Sequence, residues 1–153
     1  MKRATRMFLG AALGLAMVTV PSSYAADIDR AAVDFKTPAD IKWVKNAAGT
    51  NEQAVLFGDP AKPGPYVVRI KWLPGNMSRP HSHPNDRFFV VLSGTWWVGT
   101  GEKYDPESTV PVPPGSYVIH YGGKVHYDGA KKEDAIIQVW GMGPATNTPA
   151  EKK

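Results

Sequence analysis

Histidine is the residue of this 153-residue chain best equipped for chemistry, and its four copies fall in two short windows, 81–83 and 120–126. There is no cysteine, which excludes thiol nucleophiles, disulfides, zinc fingers and iron–sulfur clusters. Neutral imidazole is the commonest metal ligand and suits zinc, copper, iron and nickel. His81 and His83 stand two apart. In an extended backbone, residues i and i+2 point to the same face, so both rings can reach one point. Pro80 and Pro84 bracket the pair, denying a helix and presetting the extended path. His126 follows the Gly122-Gly123 turn signal and is the expected third ligand. His120 is open to three roles: a fourth ligand, a strand cap, or a hydrogen-bonding partner behind the ligands. The alternative is four surface or loop histidines with no common partner.

The elements that must position these rings read as strands. Gly and Pro number 15 and 14, a density that excludes a helical bundle, because both residues punctuate helices. From Tyr66 to Leu73 the chain alternates, with Tyr66, Val68, Ile70 and Trp72 on one face and Arg69 and Lys71 on the other. That period of two predicts a half-buried strand. Phe88–Leu92 is a continuous apolar run, and Ser93-Gly94 leads it into Thr95–Val98 as a hairpin signal. The Pro-rich stretch Val110–Pro114 fits an edge strand or a loop. Further strands are expected at Ser116–His120 and Ala135–Trp140. Short strands with frequent turns predict an all-β sandwich or barrel. A single barrel is assigned to 53–141, preceded over 26–52 by a segment with a short helix or a strand. Residues 142–153 read as a loose tail.

Lys2, Arg3 and Arg6 head the chain, no acidic residue precedes Asp27, and Met7–Val20 is an apolar run of 14 residues. A membrane-spanning helix needs about 20 such residues. Pro21 breaks the run, and Ser23-Tyr24-Ala25 places small residues at the two positions a signal peptidase reads. This is the layout of a secretory signal peptide over 1–25, cut after Ala25, with an uncleaved anchor as the alternative. It predicts a mature chain exported to a bacterial periplasm, with no stable membrane anchor. The formal charge of +4 invites a nucleic-acid partner. Three of the 18 basic residues lie in the leader, however, so the mature chain carries 15 against 14 acidic ones and that argument fails.

The spacing resembles the two sequence motifs of the cupin superfamily. Gly75, His81, His83 and Gly94 stand where its first motif has its fixed residues, and Gly115, Gly123 and His126 match its second. The resemblance covers Gly75 to His126. It implies a small single-domain barrel, the double-stranded β-helix or jelly roll, enclosing one divalent transition metal (Fe, Mn, Ni, Cu or Zn) and acting on a small molecule. It also implies a possible homodimer; adjacent strand residues face opposite ways, so one of Trp96 and Trp97 can be core and the other lie at an interface. Phe89, Val91, Trp97, Tyr117, Tyr127 and Trp140 are the candidate walls, as core or as substrate contacts.

The chain departs from the family pattern at three positions. Arg87 stands where the first motif has a metal-binding Glu, and Tyr121 and Ala130 replace a Pro and an Asn of the second. Strand parity from His83 turns Arg87 inward. It can hold an anionic substrate by its fork, pair with Asp86, Asp128 or Glu102, or mark a site that has lost its metal. Arg87, Tyr121 and Trp97 are the candidate substrate-binding residues. Two functions follow. One is a metal-dependent enzyme, oxygenase before isomerase or decarboxylase; the other is a non-catalytic binding or sensing protein that uses Arg87 for an anionic ligand.

Overall fold

The computed structural model describes residues 28–152. The expected leader, 1–25, lies outside them. Residues 28–35 belong to a separate unit, a turn in which Arg30 pairs with Asp34 at 3.3 Å and lies over the Phe35 ring.

From residue 36 onward the described chain is built of strands, with two short 3-10 turns at Pro38–Asp40 and Pro106–Ser108. In chain order the strands are β1 Val44–Lys45, β2 Asn51–Phe57, β3 Gly64–Trp72, β4 His81–Ser82, β5 Arg87–Ser93 and β6 Trp96–Thr100. They continue with β7 Val110–Val112, β8 Tyr117–His120, β9 His126–Gly129, β10 Ala135–Gly143 and β11 Thr148–Pro149. The 26–52 segment thus supplies both a helical turn and strand β1. One sheet runs β1-β2-β3-β10-β5-β8 and the other β11-β4-β9-β6-β7. The fold is all-β, and Pro111 sits on β7, an edge strand that tolerates its missing donor.

The alternation along β3 is realised: Tyr66, Val68 and Trp72 are buried, while Arg69 on the other face donates to Gln138 of β10. Their partners on β10 and β5 repeat the pattern. Val68, Val139 and Phe89 form one row across the sheet, and Ile70, Ile137 and Val91 form another. Trp96 of the second sheet and Ala130, just beyond β9, close this core.

Two expectations are corrected. Ser93-Gly94 does not close a hairpin, because β5 and β6 belong to different sheets. Gly94 adopts φ +66°, and a Cβ there would lie 1.9 Å from the Asp134 carbonyl oxygen, so the chain turns a corner against another backbone segment. The segment after residue 142 is not a loose tail either. β11 pairs with β4, Ala150 N–H donates to the Pro80 carbonyl at 2.9 Å, and Glu151 pairs with Arg79. Backbone hydrogen bonding to a strand that lacked a neighbour on that side holds it in place.

Candidate metal centre

Register builds the site from two cross-strand pairs. His81 of β4 stands opposite His126 of β9 on one sheet, and Arg87 of β5 stands opposite His120 of β8 on the other. The pairs meet inside: the His120 and His126 ring centroids are 3.9 Å apart, and Arg87 Nη2 lies 3.2 Å from His126 Nε2. Two further bonds pin the loops that carry the ligands. Gly123 N–H donates to the His83 carbonyl at 2.7 Å, and Gly122 N–H donates to Asp86 Oδ1 at 2.7 Å. Asp86 is therefore occupied as a loop clamp and does not pair with Arg87.

His81, His83 and His126 are buried, and one ring nitrogen from each lies within 4.8 Å of the others. Each Nδ1 faces a backbone carbonyl: Arg79 at 2.7 Å for His81, Thr146 at 2.8 Å for His83, and Lys124 at 3.0 Å for His126. A carbonyl only accepts, so each Nδ1 carries the proton and each Nε2 keeps its lone pair. Such a partner fixes both tautomer and ring orientation, as metal-binding histidines require. His83 Nε2 is buried with no hydrogen-bond partner. An orphaned lone pair beside two similar donors is what a divalent transition metal fits.

The surroundings keep the His83, His126 and His120 rings neutral. Burial, then the Arg87 charge, push His83 down to about 3 from an ordinary 6.5. Burial lowers His126 to about 4, against the opposing pull of Asp128. His120 falls to about 2, through burial and then the neighbouring His126. Neither His120 nitrogen has a partner, and its ring lies between Phe89 at 4.6 Å and Trp96 at 5.4 Å. It falls outside the trio and forms a second cluster with His126 and Asp128.

Arg87 points inward, as strand parity predicts. No carboxylate among the described residues forms an ion pair with it: Glu102 pairs with Lys152, and Asp128 accepts from Trp96 Nε1 at 3.1 Å. Burial lowers the Arg87 pKa, and the Asp128 charge partly offsets this.

Beside the rings opens a cavity of about 630 Å³, within the usual range for small-molecule sites. Its apolar wall comes from the inward residues of β3 and β10 with Phe89, and the His81, His83, Arg87 and Asp128 side chains also line it. Neither Tyr121 nor Trp97 is brought to it. Tyr121 is 60% exposed, and Trp97 faces outward with the Lys131 ammonium 4.1 Å over its ring. Of the tryptophan pair, Trp96 is the core member, fully buried. Among the other candidate walls, Tyr117 is exposed, Trp140 stacks on Phe88 away from the cavity, and Tyr127 is buried with its hydroxyl donating to the Asp105 carbonyl. Sequence reasoning passed over Asp128 as a neighbour of the rings, though His126-x-Asp128 repeats the parity of His81-x-His83. The Thr146 carbonyl carries no side-chain signal at all.

No family model matches the sequence, and no curated protein matches it. Solved structures do match the fold. The polyketide cyclase RemF from Streptomyces resistomycificus superposes with a TM-score of 0.64 at 16% identity, over 79% of this chain and 87% of that one. A Klebsiella pneumoniae protein with a double-stranded β-helix domain gives 0.55 at 24% identity, over 71% and 91%. An RmlC-like cupin from Shewanella frigidimarina gives 0.56 at 14%, over 72% and 90%. The fold is the cupin double-stranded β-helix.

Proposed function

We propose that this cupin-fold chain is an exported protein that binds one divalent transition metal through His81, His83 and His126 and acts as a metal-dependent, oxygenase-type enzyme on a small molecule. The observation that carries the metal is the common arrangement of the three rings, each Nδ1–H held by a backbone carbonyl so that each Nε2 keeps its lone pair, unpartnered at His83 and shared with Arg87 Nη2–H at His126. A metal there supplies Lewis acidity and, where it is redox-active, electrons. The chain's own contribution is orientation and exclusion of water: His83 and His126 held neutral near pH 7, an apolar wall, and one cation facing the cavity. The enzymatic likeness of the fold to a polyketide cyclase supports catalysis as a class and names no substrate.

Metal content tests the proposal. The purified chain is expected to hold about one equivalent of metal, and His81→Ala and His126→Ala are expected to lose it. Metal content unchanged in both variants, or absent after reconstitution, would sink it. Arg87 favours a second reading, non-catalytic binding of an anion, because its Nη2 already donates toward His126 Nε2. Ligand stabilisation that survives chelation and disappears in Arg87→Ala supports that reading, whereas turnover that requires metal supports the enzyme. Export is checked by the mature N-terminus, expected at Ala26.

A further inference from the structure

Besides His83 Nε2, three buried polar atoms of the cavity's lining residues lack a hydrogen-bond partner: Trp72 Nε1 at one end, and at the other the pair Tyr66 Oη and Arg87 Nε. Both residues sit on one row of the six-stranded sheet, either side of Gly141, which pairs with Tyr66 on one flank and Arg87 on the other. A Cβ at Gly141 would stand 3.4 Å from the Tyr66 hydroxyl and 3.0 Å from the Asp86 carbonyl, so the two side chains converge over a position that carries no side chain of its own. Among the described lining residues Arg87 is the one permanent cation and Asp128 the one carboxylate, and Asp128 is engaged by Trp96. The Asp128 charge only partly offsets the desolvation of Arg87 and forms no ion pair with it, so the guanidinium turned into this cavity lacks a full partner for its charge.

We infer that the ligand of this cavity is a monocarboxylate, its carboxylate held between the Arg87 fork and the Tyr66 hydroxyl and its apolar body lying along the β3–β10 wall. This deepens the reading of the cavity as the substrate site and rests on it. Arginine's paired N–H groups match a carboxylate in two parallel bonds, and a phenol adds a third donor. The body follows from the rows above that floor. Val68 with Val139, then Ile70 with Ile137, continue the wall to Trp72. From the Tyr66 row to the Ile70 row is about 13 Å at the usual rise per strand residue. Asn51 and Gln53, paired in register with Trp72 and Ile70, make the far end polar and neutral. That end accepts a hydroxyl or an amide and offers nothing to a second acid group.

Isothermal titration of the full chain, metal-loaded and chelated, tests this with hexanoate, benzoate and cinnamate against their primary amides. At least one acid is expected to bind saturably, about ten- to a hundred-fold tighter than its amide, the range for a charge-assisted hydrogen bond. Arg87→Gln is expected to erase that preference. Tyr66→Phe should weaken the acid several-fold while leaving the amide unchanged, and it decides the matter if Arg87→Gln fails to fold. Equal binding of acid and amide, a preference that survives Arg87→Gln in folded protein, or no binding by any of the three acids would overturn the inference. An Arg87-dependent preference in protein that takes up no metal upholds it while the metal reading falls. Metal uptake without any preference does the reverse.

Discussion

Lowering the pH from 7 to 5 should destabilise the metal-free protein steeply, and the buried rings set the amount. In the unfolded chain His83, His120 and His126 take up protons near 6.5, whereas in the folded chain they do so only near 3, 2 and 4. Their folded values are depressed, so the unfolded state binds more protons throughout this window. Stability is therefore full above 6.5 and is lost as the pH falls from there toward the folded values. Each ring then costs about 2 kcal/mol between pH 7 and 5, and the three together about 6 kcal/mol. A domain with a total stability of about 5–15 kcal/mol would approach its unfolding threshold. Urea unfolding of chelated protein at pH 7, 6 and 5 measures the loss. His120→Phe supplies the internal control. Its ring can pack against Phe89 and Trp96 as the imidazole does, and neither nitrogen it removes has a hydrogen-bond partner. The variant is expected to be at least as stable as the parent at pH 7 and to lose about 2 kcal/mol less on acidification. Stability that changes by less than about 1 kcal/mol from pH 7 to 5, or an undiminished slope in His120→Phe, would refute the assignment of these rings as buried and neutral.

Three further outcomes follow from contacts already described. Gly94→Ala should cost about 2–4 kcal/mol in urea unfolding, because φ +66° and the Asp134 carbonyl both reject a Cβ. Trp96→Phe should cost a similar amount, about 2–4 kcal/mol by the same measurement, through the lost bond to Asp128 and the space left in the core. Deleting residues 144–153 removes the Thr146 carbonyl and strand β11; metal affinity measured by competition with a chromogenic chelator should fall about 10–100-fold, the usual effect of losing a group that orients a ligand.

How much of this was legible in the sequence depended on whether a local rule or a distant backbone set the answer. The inward face of β3 was readable from alternation alone, because one strand with one buried face obeys a single period. The convergence of His81 and His83 was readable for the same reason, and so was the inward turn of Arg87. Trp97 fails as a cavity contact because parity gives which residues share a face, not which face is inside. The crossing at Gly94 decides that, by placing β6 in the other sheet. The strand at Thr148–Pro149 carries no apolar alternation, since its tie to β4 is made by backbone groups and by the Glu151–Arg79 pair. Asp86 looked like a possible ion-pair partner for Arg87, and only the approach of Gly122 N–H revealed it as a clamp.

The bond from His83 to the Thr146 carbonyl spans 63 positions of sequence. A ring oriented by so remote a segment acquires its donor geometry only after that segment has docked, whereas His81 and His126 take their carbonyls from two residues away. Contacts of such long separation form late, once loop closure has been achieved elsewhere. A metal bound by this trio would thus be captured at the end of folding: it would lock the finished barrel rather than seed its condensation.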